Sequence, residues 1–423
     1  MADRRVVITG VSVFSPLGLE LSAFWQALVE GKSGIRPFVS FDATELPVRF
    51  GGELPGFDAK KSISGKEERK SIKMMSRTIQ IGVACALAAF HDSRIDRKQL
   101  DSTRFGVEFG SSLIPTDLDD LVPAATLSTT DIPNRVDMQV WGHDGIPTVA
   151  PLWMLKYLPN MVACHTSIFL DAQGPNNSIT ETDISALLAL GEAFRILRRD
   201  QADFFLCGAS DSKMTLLSLV RQCLFAELSK RNDAPDKASR PFDKNRDGWV
   251  VAEGAGVLAL EDLAHAQRRG ATIYGEILGF GSAYDRGLTG SGLARAIHGA
   301  LTQAGISPQD VDHVNAHGQS TRVGDAWEAR GIAAVFGRDT PVFAPKSYFG
   351  SLSSASGAAE LTASLLAYQH GTLPPTLNYE TPDPECPVSV LREARPIKRP
   401  YFVKISVTER GQCAAAIVKR FEG

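Results

Sequence analysis

Hydrophobic positions in this chain recur with two periods, and the elements they predict alternate along its length. RVVIT, from Arg5 to Thr9, reads as a short apolar strand closed by Gly10, and SPLG at 15–18 as a turn. LSAFWQALVEGKSGI then reads as a helix ending at Gly31, and the polar residues 40–70 as a surface excursion. Ser76 to His91 is an alanine-rich helix of period 3.6 through Ile79, Ile81, Val83, Ala86 and Phe90. RFGVEFGSS at 104–112 is a second strand, and Leu113 to about Pro159 is irregular; connections of that length are usually functional or lie at an interface.

The stretch from Gly174 to Asp211 organises the chain around it. It predicts a turn, a short β-branched strand, a bend at Glu181-Thr182-Asp183 and a long helix buried through Ile184, Leu187, Leu188, Leu190, Ala193, Phe194 and Leu197. DFFLCGAS is the next buried strand, and SRPFDKNRDGWVVAEGAGVLALE a glycine-rich turn leading into an apolar one. From residue 271 the pattern restarts: strand (271–283), helix (ARAIHGALTQAGI), strand (VDHVNAHG), helix (DAWEARGIAAVFG), strand (PVFAPKS), buried helix, and two closing strands. Such alternation predicts an α/β fold of two similar halves, 1–265 and 266–423, with 113–160 as an interface or cap insertion. In each half a buried helix follows a tight turn, after Asp183 and after Ser351.

Composition narrows the class. With 423 residues, 43% hydrophobic and 22% charged, the chain has the make-up of a soluble globular protein too long for one ordinary core. A formal charge of −3 gives no support for nucleic acid or an anionic membrane as partner. The six cysteines form no C-x-x-C pair, and several lie in apolar runs, which fits buried free thiols and a reducing cytoplasm. No apolar run reaches the ~20 residues of a membrane span, and MADRRVVITG has no signal-peptide core.

Chemistry has few places to sit. A strand turning sharply into a buried helix puts Asp183 at the helix N-terminus, where free N–H groups and the dipole act on its carboxyl; the ordinary job of an aspartate there is to cap. Burial would raise its pKa, and the helix end and Arg410 would lower it, so the sequence leaves the sign open. His317 ends a buried strand in NAHGQST; a lone histidine there is ordinarily structural, but Asn315, Gly318, Ser320 and Thr321 surround it with small polar groups at a strand end, where α/β sites gather. Lys346 ends PVFAPKS in an apolar setting that suits a buried ion pair, with Glu328 the nearest candidate partner by segment. Asp243, Lys244, Asp247 and Glu253 in RPFDKNRDGWVVAEGAG lack the register of a calcium loop, so no metal is expected.

The chain resembles the β-ketoacyl-ACP synthases, the elongating condensing enzymes of the thiolase-like superfamily. RRVVITGVSVFSPLG, FWQALVEGKSGI, GPN, SRPFDKNRDGWVVAEGAGVLALE, VNAHGQST, APKS and LPPTLNYETPDPEC look like that family's blocks, in its order, over essentially the whole length. The resemblance implies a five-layered α-β-α-β-α fold from two duplicated halves, a dimer, no cofactor, and an acyl chain carried on acyl carrier protein. It also places His317, Lys346 and Glu328 at the family's retained histidine, lysine and glutamate.

Three positions depart from the family pattern. Aligning GPN with GPN puts Asp183 where these synthases carry their nucleophilic cysteine. KSYFGS puts Ser351 at the second histidine. VTERGQCA puts Glu409 and Arg410 where a small, apolar, mobile gate is expected. With Thr182, Ser320 and Thr321, these last two are the expected substrate-side positions.

The departures suit a non-condensing subunit similar to a chain length factor, which pairs with a catalytic ketosynthase and shapes the acyl tunnel, although such subunits often carry glutamine at this position. A second reading is a repurposed enzyme in which Asp183 and His317 act as acid and base in cyclisation, dehydration or hydrolysis of an acyl thioester. Lys60, Lys61, Lys66, Arg69 and Lys70 offer a basic rim for an acidic carrier, or simply a solvated charged loop.

Overall fold

The computed structural model describes residues 4–422. Its frame is one hydrogen-bonded sheet of eleven strands. In chain order these are β1 (Val6–Phe14), β2 (Phe105–Ser111), β3 (Asn176–Thr180), β4 (Phe204–Asp211), β5 (Gly254–Asp262), β6 (Gly275–Tyr284), β7 (Val311–Asn315), β8 (Pro341–Phe343), β9 (Ser389–Val390), β10 (Tyr401–Val407) and β11 (Gln412–Lys419). Across the sheet they run β9-β8-β7-β10-β11-β6-β1-β5-β4-β2-β3.

The duplication is written in that order. β2 is parallel to β3 and β4, β4 is antiparallel to β5, and β5 to β1. β7 is likewise parallel to β8 and β10, β10 antiparallel to β11, and β11 to β6. A short antiparallel pairing, Val6 with Ile277 through Ile8 with Gly275, joins the two half-sheets.

Helices complete five layers. α1 (Arg77–Asp92) packs on β1, β4 and β5, and α2 (Met161–Leu170) on α1 and β2, which covers one outer face. α3 (Ser185–Arg198) and α6 (Ser356–His370) each touch strands of both half-sheets and form the middle layer. α4 (Ser291–Ala304) covers β6, β10 and β11 on the other outer face, with α5 (Arg322–Phe336) packed against it. α6 shows why the middle layer is central: every residue from Ser356 to Tyr368 is buried, as a helix apolar on all sides requires.

β1 does not stop at Gly10, as the sequence predicts, but bulges there and runs on to Phe14. The glycine serves close packing: a Cβ at Gly10 would stand 2.5 Å from Ala89 O and 2.8 Å from Ser93 N at the end of α1. Two glycines seat α4 on β6 in the same way, since a Cβ on Gly279 or on Gly281 would overlap the carbonyl oxygen of Ala300 or of Ala296. Gly279→Ala is therefore expected to lift α4 and cost about 1–3 kcal/mol, read as a lower urea midpoint.

The irregular stretch 113–160 holds a helix at Leu118–Leu127 and several single helical turns. The PVFAPKS strand ends at Phe343, and Lys346 opens a one-turn helix, Lys346–Phe349, instead of closing a strand. Asp243 is spent on loop closure, accepting the backbone N–H groups of Asn245, Glu380 and Thr381 at 2.7–2.8 Å.

Candidate active site

The two halves meet at their elbows. A 3-10 turn at Thr182–Ile184 precedes α3, and one at Ser353–Ala355 precedes α6; the two turns touch. Thr182 and Ser353 hold φ angles of 50° and 49°, a left-handed conformation that is uncommon outside glycine and gathers at functional sites. Ser185 holds the first elbow, its hydroxyl accepting the Glu181 N–H at 2.8 Å and donating to Ser111 O at 2.9 Å.

Asp183 is half-buried at this elbow, and among the described residues nothing hydrogen-bonds its carboxyl. Burial dominates and raises its pKa; Lys213 and Lys346 pull it back, and Asp211 and Glu360 push it up. Arg410 is not the opposing charge that the sequence suggests. Lys213 takes that part, with its Nζ 3.1 Å from Ser353 Oγ and 3.6 Å from Asp211 Oδ2.

His317 follows β7 and is almost wholly buried. Its backbone N–H and that of Gly318 donate to the two oxygens of Glu328, at 2.6 and 2.9 Å. Glu328 thus holds the loop and is not the partner of Lys346; burial and neighbouring Asp325 push its pKa up to about 8.

Lys346 pairs with Glu360 on α6, at 2.5 Å from Oε1, and donates to His317 O at 2.8 Å. Its third contact is His317 Nδ1 at 3.1 Å, which makes Nδ1 an acceptor and puts the ring proton on Nε2. Burial first, then Lys346 and Lys404, lower the His317 pKa well below its ordinary value, so the ring is neutral. A neutral imidazole with Nδ1 occupied donates from Nε2 and has no free lone pair, so it suits carbonyl polarisation and not proton abstraction.

Asp183 and His317 line one chamber with Gln319, Thr321, Gly324, Trp327, Val407, Thr408 and Glu409. Its volume is about 20 Å³, room for roughly one water. Of the expected substrate-side positions, Thr321 and Glu409 are on its wall. Thr182, Ser320 and Arg410 are not: Thr182 and Arg410 are exposed, and buried Ser320 accepts the Arg240 N–H at 3.0 Å. Ser351 lies behind the wall, its Oγ 3.4 Å from Gln319 Nε2. Glu409 is itself exposed to solvent, and partial desolvation together with neighbouring Asp183 raises its pKa.

Sequence reasoning missed Gln319, Trp327, Glu360, Lys404 and Lys213. Two of them carried a signal. Glu360 is the lone charge in an alanine-rich helix that is apolar all round, and Lys404 interrupts the apolar strand YFVKISV. A single charge in such a setting needs a buried partner.

Known proteins agree with this architecture. Residues 3–266 match the family model for the beta-ketoacyl synthase N-terminal domain, and 274–380 that for its C-terminal domain. The 3-oxoacyl-[acyl-carrier-protein] synthase 2 of Synechocystis is 36% identical over 395 residues, covering 91% of this chain and 90% of that protein. A beta-ketoacyl synthase from Burkholderia phymatum superposes with a TM-score of 0.88 at 30% identity, covering 99% of this chain and 100% of the other. The ishigamide ketosynthase/chain length factor superposes with a TM-score of 0.86 at 26% identity, covering all of both chains. The chain belongs to the beta-ketoacyl synthase family.

Proposed function

We propose that this member of the family does not condense: it is a subunit of the chain length factor kind, which pairs with a cysteine-bearing ketosynthase and shapes the tunnel for an acyl chain on acyl carrier protein. The chamber carries the reading. Its elbow presents an acid, and an acyl group on Asp183 would be a mixed anhydride open to hydrolysis. Its ~20 Å³ leaves no space for an acyl chain beside the elbow.

The pairing face that goes with this reading is the sheet edge. β3 ends the sheet with one side unpaired and most of its residues exposed, and an open strand edge is a template for another chain. Leu113, Leu118, Met138, Leu152 and Ile168 stand exposed in the insertion 113–160 and in α2. In this reading the halves divide at 265/266, the insertion belongs to the interface with a ketosynthase or a second copy, and the protein works in the cytoplasm. Among the described residues no helix is long and apolar enough to cross a membrane. Lys60, Lys61, Lys66, Arg69 and Lys70 lie on two short helices spanning 59–71, and this charged segment would face an acidic carrier.

Co-expression with cysteine-bearing ketosynthases of the same genome, followed by size-exclusion chromatography, is expected to give a one-to-one complex. Recovery as a homodimer with every one of them would defeat the subunit reading. The acid–base reading is favoured by one observation, that Asp183 with its raised pKa shares a chamber with His317. It predicts acyl-thioester turnover that Asp183→Asn abolishes, whereas the subunit reading predicts an intact complex and no such turnover.

A further inference from the structure

Lys404 lies on β10 with no exposed surface. Its Nζ is 2.5 Å from Glu360 Oε2, 2.7 Å from Ile405 O and 3.1 Å from Ala316 O, so its three protons are satisfied. Glu360 Oε1 holds Lys346 at the same 2.5 Å. One buried carboxylate therefore carries a lysine on each oxygen, and the cluster has a net positive charge in the middle layer. Lys346 with Glu360 alone would be neutral. A second buried cation raises the desolvation cost, and burial drags Lys404 down to about 8 in spite of its carboxylate.

The geometry shows what Lys404 adds. Lys346 divides its protons among Glu360 Oε1, His317 O and His317 Nδ1. A free Oε2 would draw a second proton of Lys346 into a bidentate pair, and the neutral ring nitrogen is the weakest of its three acceptors. We propose that Lys404 is a positioning residue for His317: by occupying Glu360 Oε2 it leaves Lys346 one carboxylate oxygen, which keeps Lys346 on Nδ1 and the imidazole proton on Nε2. The charges around the ring are balanced accordingly. Glu328 and Asp325 lie beneath its loop, Asp183 and Glu409 share its chamber, and Glu360 sits behind; Lys346 and Lys404 oppose an imidazolium among these acids.

Proton-detected nitrogen NMR of the full-length protein, with the His317 signals assigned by their loss in His317→Gln, tests this. The wild type is expected to show a single ring proton, on Nε2, and no titration in the ordinary histidine range. In Lys404→Met a proton should appear on Nδ1, and the ring should bind protons at least about tenfold more tightly, a midpoint shift of about one pH unit. Adding Glu360→Gln to Lys404→Met should restore the Nε2 tautomer, because no second carboxylate oxygen then competes for Lys346. If Lys404→Met is not recovered folded, Lys404→Gln, which keeps an N–H donor but no charge at this position, is read in the same way. A wild-type tautomer and titration in the folded single variant, with only stability reduced, would overturn the proposal.

Discussion

Replacing Glu360 with leucine is expected to destabilise the chain by about 3–5 kcal/mol or more, enough to prevent its recovery in folded form. The carboxylate is fully buried and is the only acidic partner of two buried lysines among the described residues, at 2.5 Å from each. Its loss leaves two ammonium groups out of water without compensation, in the helix that joins both half-sheets. Soluble yield and the urea midpoint measure the loss. Lys346→Met, Glu360→Leu and Lys404→Met together should recover much of it, because removing a whole buried ionic cluster costs far less than removing one member. A stable Glu360→Leu single variant would mean that the lysines shed their charge on burial.

Stability is also expected to fall as the pH rises toward 8, and Glu108→Gln should remove from that slope a share of up to about 1.4 kcal/mol per pH unit. Glu108 lies in β2 at 1% exposure, and among the described residues neither carboxyl oxygen has a hydrogen-bond partner. Burial, with a smaller push from Glu192, raises its pKa to about 8. The folded chain therefore keeps a proton that the unfolded chain releases near pH ~4.3. The contribution is fully present below that value and is lost as pH climbs through 8, at up to about 1.4 kcal/mol per pH unit and roughly 3–5 kcal/mol over the window. Urea midpoints of wild type and variant should converge at low pH and separate at pH ~8.5, with the variant more stable. Parallel curves would show that Glu108 finds a counter-charge. Glu328, Asp325 and Lys404 titrate in both proteins, so the difference isolates Glu108.

Most elements are legible in the sequence because their burial is local and periodic. Apolar spacing alone predicts α3 and α6 after Asp183 and Ser351, and they begin at Ser185 and Ser356. β4 and β5 read as continuous apolar runs because both faces are covered. Legibility fails where an apolar run hides a change of backbone. PVFAPKS has strand composition, but only its first three residues pair. Gly10 looks like punctuation and is instead the contact point of a helix.

In the candidate site the residue types are readable and their pairings are not. His317, Lys346 and Glu328 lie together, but Glu328 binds backbone N–H groups, and the lysine reaches across to Glu360 on a helix of the middle layer. Thr182 sits at the bend that its segment predicts; its left-handed φ and its exposure to solvent are properties of the folded elbow.

Family, α/β alternation in two halves, and an acid at the elbow where a nucleophile is expected are what the sequence determined by itself. These rest on patterns that neighbouring residues carry. The tertiary structure alone decided that the chamber holds only about 20 Å³ and that Asp183 is pushed toward its protonated form. It also decided that Lys346 and Lys404 share one carboxylate across 14 and 44 residues of chain. Cavity volume, desolvation and charge pairing depend on which remote surfaces meet, and hydrophobic period, being local, is silent about that.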